Sequence, residues 1–164
     1  MEGGKFASFF MKKVEIWTDG CSKGNPGIGG YGIVLIYKDN KKEHIKEIKQ
    51  GFKLTTNNRM ELMAGIVALR ELKYSCDVTF YSDSKYVVDA FNSGWVDSWE
   101  KKNFRLGKSN EVKNIELWKE MIEEVKKHKI KFVWVKGHAG NKYNERCDLL
   151  ANMALDEELI DDVY

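Results

Sequence analysis

Val14-Glu15-Ile16-Trp17-Thr18-Asp19-Gly20 alternates apolar and polar side chains for five residues and then reaches a turn-prone Asp-Gly pair. That period of two predicts a strand over residues 14–18. A glycine-rich stretch follows, Gly24-Asn25-Pro26-Gly27-Ile28-Gly29-Gly30, which reads as a loop and holds the only proline of the chain. Residues 31–37 form a second apolar run, ended by Lys38-Asp39-Asn40. Residues 44–52 read as a third strand with a charged outer face. Three strands joined by short turns predict an antiparallel meander.

Downstream the period changes. Residues 57–73, rich in Leu, Met and Ala and free of proline, predict a helix. A short strand over 78–81 and a helix over 84–91 follow. Helical spacing runs through Val112, Ile115, Leu117, Trp118, Met121, Ile122 and Val125, so a helix is expected over 110–129. A fifth strand over 130–135 and a last helix over 144–159 complete the order. This alternation predicts an α/β fold: a five-stranded mixed sheet, three strands antiparallel and then two parallel, flanked by helices.

The chain has 164 residues, 27 Lys+Arg against 25 Asp+Glu and 43% hydrophobic residues. Those values describe an ordinary globular protein of about one domain. A single domain is expected over 13–159, with a flexible N-terminal extension over 1–12 and a C-terminal tail over 160–164. No stretch approaches the ~20 apolar residues of a membrane span. The apolar patch Phe6, Phe9 and Phe10 is too short for a signal-peptide core. Cys21, Cys76 and Cys147 are odd in number and form no CxxC pair, which argues against a zinc site or disulfide framework. Free thiols and a cytoplasmic setting are expected.

Several residues could carry chemistry. Glu61 is the only charged residue of ten in Met60-Glu61-Leu62-Met63-Ala64-Gly65-Ile66-Val67-Ala68-Leu69. It stands either on a narrow exposed edge or beside something that compensates its charge, since an unpaired buried charge is costly. Asp19 and Asp83 each end a predicted strand, where α/β sheets place ligands. Each also has an ordinary reading, Asp19 as a turn residue and Asp83 as a helix cap. Asp148 lies beside Arg146 in the last helix, where a solvated face is the usual explanation. Residues 24–30 lack the Lys-Ser/Thr ending of a phosphate-binding P-loop and lead into a strand. His138 stands in Gly137-His138-Ala139-Gly140, a loop after the fifth strand.

Taken together these pieces are specific. Thr18-Asp19-Gly20 with Gly24-Asn25-Pro26-Gly27, Thr55-Thr56-Asn57-Asn58-Arg59-Met60-Glu61-Leu62, Tyr81-Ser82-Asp83-Ser84, Trp134-Val135-Lys136-Gly137-His138-Ala139-Gly140 and Asn144-Glu145-Arg146-Cys147-Asp148 stand in collinear order. Their pattern resembles type 1 ribonuclease H from about residue 13 to residue 155. The segment between Asp83 and Asn114 resembles the bacterial-type enzyme with its basic protrusion.

The resemblance implies a ribonuclease H-like fold and an endoribonuclease that cuts the RNA strand of RNA–DNA hybrids, leaving 3′-OH and 5′-phosphate ends. It implies Asp19, Glu61, Asp83 and Asp148 as ligands of two Mg²⁺ ions, with Mn²⁺ as a substitute, and His138 as an auxiliary proton-transfer or product-release residue. Hard carboxylate oxygens suit Mg²⁺, and two such ions suit phosphodiester hydrolysis. The resemblance also places Asn25, Asn57 and Asn58 in the hybrid's minor groove, and Thr56 and Asn114 on a phosphate of the DNA strand. Leu54 departs from the pattern, standing where an arginine is often found, with Lys53 beside it as a candidate substitute. Trp95, Trp99, Lys101, Lys102 and Arg105 match the protrusion; the two tryptophans could equally be core residues of a short helix. A monomer is expected. The alternative is a non-catalytic hybrid-binding module, which would need only the basic and groove-lining residues; the presence of all four carboxylates favours the enzyme. The same fold serves integrases and transposases, and the Asn57-Asn58 pair and the His138 loop favour the ribonuclease.

Overall fold

β1 (Lys12–Ser22) lies inside a six-stranded sheet of order β5-β4-β1-β2-β3-β6. The structure is a computed structural model that describes residues 11–107 and 110–163. Most of the expected extension over 1–12 therefore lies outside the described residues, as does Lys108. β2 (Gly27–Asp39) and β3 (Lys42–Thr55) continue from β1 as antiparallel neighbours. β4 (Cys76–Ser82) and β5 (Lys129–Trp134) add in parallel on the other side.

Alternation along β1 sorts side chains to the two faces. Val14 and Ile16 point into the larger core, and Trp17 into a smaller one on the opposite face. The larger core is covered by α1 (Asn57–Arg70), α2 (Lys85–Asn92), α3 (Trp95–Lys101) and α4 (Ile115–Val125). Among the described residues, α5 (Lys142–Ala154) is the helix that covers the smaller core, through Cys147 and Leu150 against Trp17, Val34 and Ile36. α1 starts where Thr56, in extended conformation, accepts the Arg59 N–H on its hydroxyl at 3.3 Å. This side-chain cap satisfies one of the unpaired N–H groups of the first turn.

Four expectations need correction. The sheet has a sixth strand, β6 (Leu159–Ile160), paired in parallel with Gly51 and Phe52. The last helix accordingly ends at Ala154 rather than 159, and the chain turns back to the β3 edge. Residues 110–114 are not helical: Leu106 N–H donates to the Asn110 carbonyl and Val112 N–H to that of Phe104. Asn114, left-handed at φ 57°, then redirects the chain into α4. The glycine-rich segment is strand from Gly27 onward. A Cβ on Gly29 would lie 2.6 Å from both the Cys21 carbonyl and the Thr55 methyl, so close packing, not a turn, requires that glycine.

Candidate active site

The parallel pairing of β1 with β4 ends at Thr18 opposite Ser82, so Asp19, still within β1, and Asp83, just past β4, stand side by side where that pairing stops. Glu61 reaches them from α1. A Cβ on Gly20 would lie 2.8 Å from the Glu61 nitrogen, so the bare glycine lets α1 approach the end of β1. Carboxylate oxygens of Asp19, Glu61 and Asp83 lie within 4.8 Å of one another. Asp148 comes from α5 on the far face and acts on Asp19 as a neighbouring charge and hydrogen-bond partner.

The electrostatics follow from that crowding. Burial, then the charges of Asp83 and Asp148, push the Asp19 pKa from 3.8 up to about 8. Burial and then the charges of Asp19 and Asp83 hold the Glu61 carboxyl well above the usual range. Glu61 is 4% exposed, and its Oε1 is the one buried side-chain oxygen among the described residues without a hydrogen-bond partner. Buried polar atoms are normally paired, and mutually repelling carboxylates normally neutralised. A hard divalent cation satisfies both needs, so these residues fit such a group.

Neighbouring residues hold the cluster. Gly20 N–H donates to Asp19 Oδ1 at 3.0 Å, and Asn144 Nδ2 to Asp83 Oδ2 at 3.3 Å. Asn144 is buried, and sequence reasoning misses its role, although it stands one helical turn before Asp148 on the same face of α5. Ser84, not Asp83, caps α2, its hydroxyl accepting the Val87 N–H, which leaves the Asp83 carboxylate free of that duty. His138 is exposed, in a left-handed conformation at φ 53°. Its loop runs against the cluster: a Cβ on Gly137 would lie 2.7 Å from Asp83 Oδ2.

The remaining expected residues fall into two groups. Thr56, Asn57 and Asn58 sit at the start of α1, the two asparagines exposed, and Asn114 joins them through Arg59, whose Nη1 donates to Asn114 Oδ1 at 3.2 Å. Asn25 is exposed before β2. Lys101, Lys102 and Arg105 form a separate exposed group at and just after the end of α3. Trp95 is 45% exposed there, whereas Trp99 packs edge-on against the buried Trp118 at 4.9 Å between ring centres.

A mixed sheet of this order, with carboxylates converging where the pairing of β1 with β4 stops, defines an α/β protein with an acidic, cation-fitting site. Over 146 residues the chain is 55% identical to the ribonuclease H of Lachnoclostridium phytofermentans, covering 88% of this chain and 92% of that one. The fold matches LC9-RNase H1, a type 1 RNase H with the type 2 active-site motif, with a TM-score of 0.80 and 31% identity. That match covers 89% of this chain and 73% of the other. LC11-RNase H1, solved in complex with an RNA/DNA hybrid, matches with a TM-score of 0.65 and 26% identity, over 87% and 96% of the two chains. Residues 11–156 match the RNase H family, and the chain belongs to it. It is therefore a hydrolase of the endonuclease class.

Proposed function

We propose that this chain hydrolyses the RNA strand of RNA–DNA hybrids at a two-cation site formed by Asp19, Glu61, Asp83 and Asp148. The observation that carries the reading is the buried, unpartnered Oε1 of Glu61 beside two further carboxylates. Those carboxylates would hold divalent cations, Mg²⁺ with Mn²⁺ as a substitute, which would supply activation of water and stabilisation of the leaving oxygen of a phosphodiester. Scission of the P–O3′ bond leaves 3′-OH and 5′-phosphate ends.

The chain's own side chains orient and discriminate. Asn144 holds the Asp83 carboxylate, and Gly20 that of Asp19. The His138 imidazole, on the loop beside Asp83, takes up or gives a proton at a ring nitrogen as product leaves. Asn25, Asn57 and Asn58, with Glu61, face the 2′-OH groups of the RNA strand; carboxamides suit that group because they both donate and accept. Thr56 and Asn114 hold a phosphate of the DNA strand. Lys101, Lys102 and Arg105, with the exposed ring of Trp95 braced by Trp99, follow the backbone without reading sequence. We take the enzyme as a monomer, and three free thiols fit a reducing cytoplasm.

The test presents one RNA sequence as RNA–DNA hybrid, as single strand and as RNA duplex, each with Mg²⁺ and with EDTA. Mg²⁺-dependent cutting of the hybrid alone is expected. Asp83→Asn should abolish that cutting and leave hybrid binding largely intact. Tight binding without cutting by the wild type would instead favour a binding module.

A further inference from the structure

The C-terminal tail over 160–164 carries two acidic residues, Asp161 and Asp162, and one of them is buried. After β6 the chain turns toward the start of α1, where the Asp162 side chain is fully buried. Its Oδ2 accepts from Arg59 Nε at 2.8 Å and from the Thr55 hydroxyl at 2.6 Å, and its Oδ1 accepts from Arg59 Nη2 at 3.1 Å. This is a forked guanidinium–carboxylate pair, the strong and directional kind. Asp161 adds an exposed ion pair to Lys53 at 3.7 Å.

Arg59 is the hub. Its backbone N–H donates to the Thr56 hydroxyl, and its Nη1 donates to Asn114 Oδ1 and to Glu116. Nη2 reaches the Val163 carbonyl as well as Asp162. A guanidinium has five N–H donors, and these contacts occupy them. Arg59 therefore acts as a strut rather than as the cation that meets a phosphate. The strut sets an orientation: with Oδ1 fixed by Arg59, the Asn114 amide nitrogen turns the other way, donating to the Tyr86 hydroxyl at 3.2 Å. An amide turned through 180° would present its oxygen, not its N–H, to an approaching phosphate. The Thr56 hydroxyl, engaged by Arg59 as acceptor, keeps its own proton to donate.

We infer that Asp162 is a positioning residue for the DNA-strand phosphate contact: it clamps the Arg59 guanidinium, which orients the Asn114 amide, while the Thr56 hydroxyl is set independently by the Arg59 backbone N–H. This rests on the proposed role of Thr56 and Asn114. The clamp matters more here because Leu54, not an arginine, stands two residues before Thr56, and the neighbouring cation, Lys53, is drawn to Asp161.

The test measures kcat and KM on one hybrid for wild type, Asp162→Asn, Asn114→Ala and the double variant. In Asp162→Asn the carboxamide nitrogen would face an Arg59 donor, so the fork opens while volume is kept. KM is expected to rise about fivefold, the worth of one well-aligned hydrogen bond, with kcat within about twofold of wild type. The double variant is expected to be no worse than Asn114→Ala alone, because both changes remove the same contact. Effects that multiply would overturn the inference, since the tail would then act through general stability. A lowered KM in Asp162→Asn would also overturn it, showing a carboxylate that competes with phosphate. Wild-type KM in Asn114→Ala would defeat the phosphate contact itself, whereas a raised KM there beside a wild-type KM in Asp162→Asn would defeat only the role of Asp162. If Asp162→Asn does not fold, Thr55→Val removes one donor to the same carboxylate with little change of shape. It is judged by the same outcomes, with a smaller expected rise.

Discussion

Asp19 keeps its proton up to about pH 8, first because it is buried and then because Asp83 and Asp148 face it. In the unfolded chain the same carboxyl titrates near 3.8. Between those values the folded state binds more protons than the unfolded state, so stability falls as pH rises through the window. The favourable contribution is fully present below about pH 4 and gone above about pH 8. Glu61, shifted in the same direction, adds to the slope. In EDTA, Asp19→Asn should therefore be more stable than wild type at pH 8, by on the order of 2 kcal/mol or about 4–8 °C in Tm, and should have a shallower pH dependence. The same variant should be inactive, because the amide cannot replace an anionic ligand. Thermal melts from pH 4 to pH 9 decide this, and a variant less stable than wild type at pH 8 would contradict the crowding of charges. Added Mg²⁺ should raise wild-type Tm most at high pH, where the carboxylates are ionised.

α3 and the turn after it put Lys101, Lys102 and Arg105 in solvent while Val96, Trp99 and Phe104 anchor the segment to the core. Neutralising the three cations should weaken hybrid binding and flatten its salt dependence by about 0.9 for each phosphate that the variant no longer neutralises. Titrations between low and moderate salt test it, and an unchanged slope would remove this segment from the interface. Elements with a strong local period are legible in the sequence alone. Alternation around Val14–Thr18 and the apolar density of 57–69 correspond to β1 and α1, because each buries a face large enough to mark the sequence. β6 is not legible in this way: two residues carry no period, and Leu159–Ile160 is a strand only because Gly51 and Phe52 offer an edge. The start of α4 is hidden for a similar reason. Val112 fits the helical spacing, yet its N–H bonds to Phe104, a tertiary contact that competes with helix. The four carboxylates are legible as a set and not singly, since each has an ordinary local role. The link from Asp162 to Arg59 spans 103 positions and leaves no local pattern at all.

The site exists only because elements on both faces of the sheet meet at one end of it. α1 delivers Glu61 from one face, α5 delivers Asp148 from the other, and β1 and β4 hold Asp19 and Asp83 between them. How near α5 can come is set by glycines beneath it. A Cβ on Gly32 would collide with the Cys147 carbonyl and lie 2.7 Å from the Leu150 Cβ and 2.9 Å from the Ala151 nitrogen. Two of those three are backbone atoms, so no side-chain rotation relieves the contact and the helix must move as a body. Asp148 follows Cys147 directly and moves with it, while Asp19, Glu61 and Asp83 are held elsewhere. Gly32→Ala should thus cost about 1–3 kcal/mol in stability, the usual range for overpacking. It should also lower kcat by more than it changes hybrid affinity, because Asn25, Asn57, Asn58 and the α3 cations, the proposed hybrid contacts, do not ride on α5. Gly107, where an added methyl meets nothing within 4 Å among the described residues, provides the matched control, and Gly107→Ala should leave stability within about 0.5 kcal/mol of wild type. Denaturant melts and single-turnover rates of the two variants separate the possibilities. A Gly32→Ala enzyme with wild-type kcat would show that Asp148 can shift without harm, and the metal-holding role would then rest on the three carboxylates that already converge.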